Sequence, residues 1–186
     1  MIVIGASAGA VDALGQLLPA IPSGFPWPML AVVHLPSNRP SLLTALFAPR
    51  CALPVYEAED KLPIEGGAIY FAPPDYHLLI ERRDALALSI DAPVQFSRPS
   101  IDVLFQSAAQ VFGADTIGLL LSGANDDGAA GLREIEGAGG LAWVQAPDTA
   151  SARQMPEAAL RAVSSARVLA PSAMARELCR LVAAQR

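Results

Sequence analysis

Three short turns carry most of the chemistry this sequence offers: Gly5-Ala6-Ser7-Ala8-Gly9, Val33-His34-Leu35-Pro36 and Ser122-Gly123-Ala124-Asn125-Asp126-Asp127-Gly128. The first satisfies Gly-x-Ser-x-Gly. A serine in a tight turn between a strand and a helix can stand exposed above a sheet, with the following backbone N–H groups and the helix dipole aimed at a developing oxyanion. The same strand, glycine turn and helix can also cradle a phosphate or nucleotide. Against a nucleotide, the Gly-x-Gly-x-x-Gly fingerprint is incomplete: Ser7 stands at its second glycine and Ala10 at its third, and no Gly-Lys-Ser/Thr follows.

A serine nucleophile that uses an imidazole base has two candidates, since the chain holds two histidines. His34 ends a strand and is followed by Leu-Pro, which fixes the exit direction. His77, in Asp75-Tyr76-His77, precedes a strand and falls at the opposite end if that strand runs away from it, so His34 is the better base. Its plain alternative is a hydrogen-bonded structural residue. Asp126 or Asp127 either caps the helix that follows, worth ~1 kcal/mol, or holds the imidazole in its productive tautomer. The chain order Ser, His, Asp differs from that of α/β-hydrolases, chymotrypsin and subtilisin, which points to a fold other than those three.

The elements that must position these residues alternate in type. Ile2-Val3-Ile4 reads as a strand, and Val11, Leu14, Leu17, Leu18 and Ile21 recur at helical spacing. Leu30 to Val33 and Ile117 to Leu121 are continuous apolar runs, the pattern of strands buried on both faces of a parallel sheet. Helices are predicted from Pro40 and Ser41, from an N-cap at Ser100, from about Asp127 to Ala138, and from a cap at Ser172 to the end of the chain. Leu141 to Val144 and Arg167 to Leu169 add strands. Between Val55 and Ile90 the runs Ala68 to Phe71, Leu78 to Ile80 and Leu86 to Leu88, split by Gly and Pro, predict a local antiparallel section. The fold class is therefore α/β: doubly wound, a mostly parallel sheet with helices on both faces and a small antiparallel section. Ligands in such sheets sit outside the carboxyl ends of the strands, which is where Ser7, His34 and Asp127 fall.

Composition excludes several classes. With 53% hydrophobic and 17% charged residues the chain is not disordered, and its 186 residues suit one domain. Net charge −5 and no dense Lys/Arg cluster argue against a nucleic-acid partner. Apolar runs fall short of the ~18 residues a membrane span requires, and no basic leader precedes the first strand, so a cytoplasmic protein without membrane insertion is expected. Cys51 and Cys179 lack a CxxC pattern and read as two reduced, packed thiols.

Taken together the motifs resemble the catalytic domain of the bacterial chemotaxis receptor methylesterases, the CheB family of protein-glutamate methylesterases. The resemblance runs in order through Ile4 to Gly9, Val33 to Pro36, Tyr70-Phe71-Ala72-Pro73, Ser97 to Phe105, Leu121 to Ala129 and Met155-Pro156. It implies Ser7 as nucleophile, His34 as base and Asp127 as the orienting acid. It also implies the backbone N–H groups of Ala8 and Ala124 as oxyanion donors, and Arg98 as a contact for acidic substrate side chains. The implied partner is the cytoplasmic part of a methylated chemoreceptor, and the chemistry needs no metal or organic cofactor. Residues 1–186 read as a single catalytic domain, any phosphorylation control coming from a separate receiver protein. The chain departs from the family pattern at Ala8 and Ala10 for threonine and glycine, and at Ala124-Asn125 for Met-Gly, where Asn125 is expected to adopt a left-handed backbone. Hydrolysis of another ester stays open as an alternative.

Overall fold

The computed structural model describes residues 1–35 and 39–184; Pro36, expected to end the second strand, lies outside them. Among the described residues the strands are β1 (Ile2–Ala6), β2 (Met29–Val33), β3 (Val55–Glu57), β4 (Ile69–Phe71), β5 (His77–Arg82), β6 (Ala85–Ser89), β7 (Ile117–Leu120), β8 (Leu141–Gln145) and β9 (Arg167–Leu169). The α-helices are α1 (Ala10–Leu17), α2 (Leu43–Phe47), α3 (Ile101–Phe112), α4 (Ala129–Gly137), α5 (Gln154–Ala162) and α6 (Pro171–Ala184).

Seven strands form one parallel sheet in the order β3-β4-β2-β1-β7-β8-β9, and β5 and β6 pair separately as an antiparallel ribbon. Every residue of β1, β2 and β7 is buried, as their unbroken apolar runs require of strands covered on both faces. One face is closed by α1, α2 and α6 through Leu14, Leu17, Phe47, Met174 and Leu178. The other is closed by α3, α4 and α5 through Leu104, Phe105, Leu132, Met155 and Ala159. The chain leaves β1 toward β2 on one side and later returns to its other side as β7. That reversal of direction is the topological switch point, where a doubly wound sheet opens a crevice at its carboxyl edge.

Several expectations are corrected. The antiparallel section is smaller than the runs suggested, because β4 joins the main sheet between β3 and β2. Short apolar segments bounded by glycine and proline look alike in either setting. Val11 is 47% exposed, since α1 buries Ala10, Ala13, Leu14 and Leu17 instead. Helix α2 starts at Leu43 rather than Pro40, with the Ser41 hydroxyl accepting the Leu43 N–H at 3.2 Å. Helix α6 starts at Pro171, so Ser172 lies within it, and α4 starts at Ala129. Cys51 and Cys179 are free and half-buried. Among the described residues no helix is long and apolar enough to cross a membrane.

Gly5 sets how closely α3 approaches the sheet. A Cβ at that position would lie 2.3 Å from Ile101 Cγ2 and 2.8 Å from Leu120 Cδ1. The glycine thus lets the first turn of α3 rest directly on β1. Gly5→Ala should destabilise the protein by about 1–3 kcal/mol through overpacking, read as a lower denaturant midpoint at constant m-value. An unchanged midpoint would show that α3 can withdraw without cost.

Candidate active site

Ala6 pairs with Val33 at the ends of β1 and β2, and the His34 N–H continues the ladder to Ala6 O at 3.1 Å. Ser7 and His34 therefore leave the sheet side by side. Ser7 is half-buried in the turn that enters α1, its N–H donating to Ser122 O at 2.9 Å and its carbonyl accepting from Ala10 N–H. The Ala8 and Ala124 N–H groups find no acceptor among the described residues, and both alanines are exposed. They remain free to donate to an oxygen brought between the two turns.

His34 Nε2 lies 2.8 Å from Asp127 Oδ2, and the Asp127 side chain is fully buried. That carboxylate accepts three further hydrogen bonds: from the N–H of Ile101 at 2.7 Å and of Asp102 at 3.0 Å, and from the Ser100 hydroxyl at 2.9 Å. Burial alone would raise its pKa, but the His34 contact and the Asp102 and Ile101 amides outweigh it and hold the carboxyl below the ordinary range. An ionised Asp127 accepts from Nε2–H, so the imidazole lone pair resides on Nδ1. In this structure that atom faces the Asn125 amide, Nδ2 to Nδ1 3.3 Å. The Ser7 hydroxyl makes no hydrogen bond with any described residue, so the carboxylate–imidazole half of a triad is formed and the serine–imidazole half is not.

The helix caps differ from expectation. Neither Asp126 nor Asp127 caps α4: Asp126 is exposed and accepts from Gln154 Nε2 at 3.2 Å, while Asp127 caps α3. Ser100 occupies the N-cap position of α3, but its hydroxyl is turned to Asp127. Helix α4 is capped from α3 by Asp102, whose Oδ1 accepts the N–H of Gly128 at 2.9 Å and of Gly131 at 2.7 Å. Gly128 has φ +96°, a conformation open to glycine and strained for a side chain, and it turns the chain sharply from Asp127 into α4. Asn125 does not have the left-handed backbone expected of it: among the described residues the non-glycine residues with positive φ are Lys61, Asp75, Gln95 and Phe96.

Four buried polar residues support the site: His77, the histidine set aside as a base, and three to which no role was assigned from sequence. His77 is not remote: its Nδ1 accepts the Ser100 N–H at 3.1 Å and its Nε2 donates to Ala92 O at 3.2 Å, so it braces the start of α3. Asp102 is the second. Ser122 pins the Ser7 turn, its hydroxyl donating to Ala8 O at 2.7 Å and accepting from Ala152 N–H at 2.9 Å. Gln145 in turn accepts the Ser122 N–H at 2.9 Å and ties it to Thr149. Gln145 ends β8 at the same sheet edge as the other site residues, so the rule that singled out Ser7 and His34 would have found it.

Beside His34 lies a cleft of about 180 Å³ walled by Leu35, Asp75, Phe96, Ser97 and Arg98. Arg98 makes no ion pair among the described residues; it donates to the carbonyls of Ile90 at 2.9 Å and Asp91 at 3.1 Å. Its buried Nε has no partner among them. Gln95 and Phe96 form the two-residue tip of a hairpin closed by reciprocal Val94–Ser97 bonds, with φ +47° and +63°. Such a turn favours Asn-Gly, and placing other residues there costs ~1–2 kcal/mol each.

A serine, an imidazole bonded to a buried carboxylate and free backbone donors, at the switch point of a doubly wound sheet, define an esterase-type α/β domain. The chain belongs to the CheB methylesterase family, whose model matches residues 2–178. It is 43% identical over 180 residues to a putative protein-glutamate methylesterase/protein-glutamine glutaminase of Leptospira interrogans serogroup Icterohaemorrhagiae serovar copenhageni, covering 97% of this chain and 93% of the relative. It is 37% identical over 161 residues to protein-glutamate methylesterase/protein-glutamine glutaminase 5 of Myxococcus xanthus, covering 85% of this chain but 46% of that longer relative. The fold superposes on the crystal structure of the Thermotoga maritima CheB methylesterase catalytic domain with TM-score 0.93, at 27% identity and 97% coverage of both chains.

The two caps give a pH prediction. Burial, with the charge of Asp127 nearby, pushes the Asp102 carboxyl up from 3.8 to about 6 against the pull of its amide donors. An acid whose folded pKa exceeds its unfolded value costs nothing below the unfolded value, and its ionised form weakens the fold as pH rises toward the folded one. The loss is roughly 2.4 kcal/mol between pH 4 and pH 7, at 1.36 kcal/mol per unit. Asp102→Asn keeps an acceptor for Gly128 and Gly131 once Gln95 turns its amide, and it does not ionise. Its unfolding free energy relative to the parent should improve by roughly 2–3 kcal/mol from pH 4.5 to pH 8; a pH-independent difference would contradict this assignment.

Proposed function

We propose that this protein hydrolyses glutamate γ-methyl esters on the cytoplasmic helices of chemoreceptors, yielding glutamate and methanol, and that it works in the cytoplasm. Family membership supports the reaction class, and its relatives are also named protein-glutamine glutaminases, a deamidation that follows from the same acyl chemistry with ammonia as the leaving group. The observation that carries the reading is the His34 Nε2 to Asp127 Oδ2 bond of 2.8 Å, with His34 leaving its strand side by side with Ser7. The cleft beside it is smaller than the ~300–1,000 Å³ typical of small-molecule sites and suits one side chain better than a nucleotide.

In this reading Nδ1 of His34 takes the Ser7 proton as Oγ attacks the ester carbonyl. The Ala8 and Ala124 N–H groups receive the oxyanion. The tetrahedral adduct collapses, methoxide leaves with the proton from Nδ1 as methanol, and Ser7 carries the acyl group. Water then attacks through the same base and releases the glutamate. Asp127 stays ionised throughout, orienting the ring and stabilising the imidazolium. Arg98, without an ion-pair partner among the described residues, contacts acidic side chains of the receptor.

Ser7→Ala should keep the fold and cut methanol release from a methylated receptor fragment by at least about 1,000-fold; release at the parent rate would remove Ser7 from the mechanism. Asn125→Gly should raise kcat/KM by up to about fivefold, because the amide that occupies Nδ1 is worth about 1 kcal/mol as a hydrogen bond and must let go before Ser7 can donate. A fall in rate would mean that Asn125 holds the ring productively.

A further inference from the structure

The hairpin tip Gln95-Phe96 contributes little to the fold it belongs to. Phe96 is fully exposed, at 103% of its reference area, so its ring buries no apolar surface in this chain. Both residues hold the left-handed backbone that glycine or asparagine would take with less strain. Yet the tip is fastened in place: Val94 and Ser97 close it, and Gln95 Nε2 donates to Asp102 Oδ2 at 3.0 Å, the carboxylate that caps α4. A strained, anchored turn that presents a bare aromatic ring at a reactive cleft is organised for something outside the chain.

The cleft indicates what that is. Phe96 and Arg98 both wall it together with His34, and Asp75 is the other charged residue lining it. Arg98 is held by the Ile90 and Asp91 carbonyls and is not neutralised by any described carboxylate, so the cleft offers one apolar and one cationic contact within reach of His34. A segment that bears glutamates and their methyl esters along an apolar-cored helix has both complements.

We propose that the Gln95-Phe96 turn is a docking arm for the protein substrate: the Phe96 ring packs on an apolar side chain next to the ester-bearing residue while Arg98 pairs with a neighbouring carboxylate. The proposal rests on the esterase reading and names its contact surface. Phe96 is a specificity residue in this scheme and takes no part in bond making.

Phe96→Gly suits the left-handed position, so the variant should fold with a melting temperature equal to or above the parent's. Its KM for a methylated receptor cytoplasmic fragment should rise about tenfold with kcat changed less than about twofold, and hydrolysis of p-nitrophenyl acetate should fall far less than kcat/KM on the fragment. In a Ser7→Ala background, fluorescence anisotropy should show the labelled fragment binding about tenfold more weakly when Phe96 is replaced by Gly, and recovering with Phe96→Trp. Equal KM and equal binding for parent and Phe96→Gly would overturn the docking arm while methanol release by the parent left the esterase reading standing. Binding that depends on Phe96 without methanol release by the parent would support the arm and overturn the esterase reading.

Discussion

The structure depends on a reciprocal exchange of helix caps. Asp127, from the turn after β7, accepts the first N–H groups of α3, and Asp102, from the first turn of α3, accepts those of α4. The first N–H groups of any helix lack intrahelical acceptors, and at these two buried helix starts water is a poor substitute. Each carboxylate therefore satisfies donors that would otherwise be stranded, and the exchange locks two helices to one turn. His34 reaches the free side of Asp127, so the group that anchors the helices is also the group that orients the imidazole.

This arrangement explains why a burial cost is accepted in the middle of the domain. Two carboxylates beneath one sheet edge repel, and the strain is divided unequally: Asp127, with four hydrogen-bond contacts, stays ionised, while Asp102 is pushed up to about 6. The electrostatics thus favour an acceptor-only carboxylate where the imidazole needs one. Further layers of polar contacts stiffen the same region from behind, His77 through Ser100 and Gln145 through Ser122. Preorganised groups of this sort do not have to reorient as charge develops, which is the main advantage a folded site has over water.

Around that rigid centre the surface is less constrained. Asn125 and Ala124 replace the residues expected from the family pattern, and Asn125 uses its amide to occupy the imidazole nitrogen that Ser7 would need. The Gln95-Phe96 tip is tied to the centre through Asp102 but directs its ring outward. The exposed side chains beside His34 thus sit on loops, while the capped helices and the buried strands hold His34 and Asp127.

The sequence by itself determined the class of fold and the sheet edge at which Ser7, His34 and Asp127 gather. Unbroken apolar runs are sufficient to mark strands buried on both faces, and polar residues in the turns that follow such runs, Ser7, His34 and Asp127, emerge at one rim of a parallel sheet. What it left open was set by contacts between segments far apart in the chain. Which helix Asp127 caps and what His77 supports depend on the packing of β1 against α3 through Gly5, a proximity of nearly a hundred residues that local patterns do not encode, while β4 joins the sheet through its pairing with β2 and β3. Capping preferences identify an aspartate as a cap but not the helix it serves, because a carboxylate satisfies any free N–H that the tertiary structure brings to it.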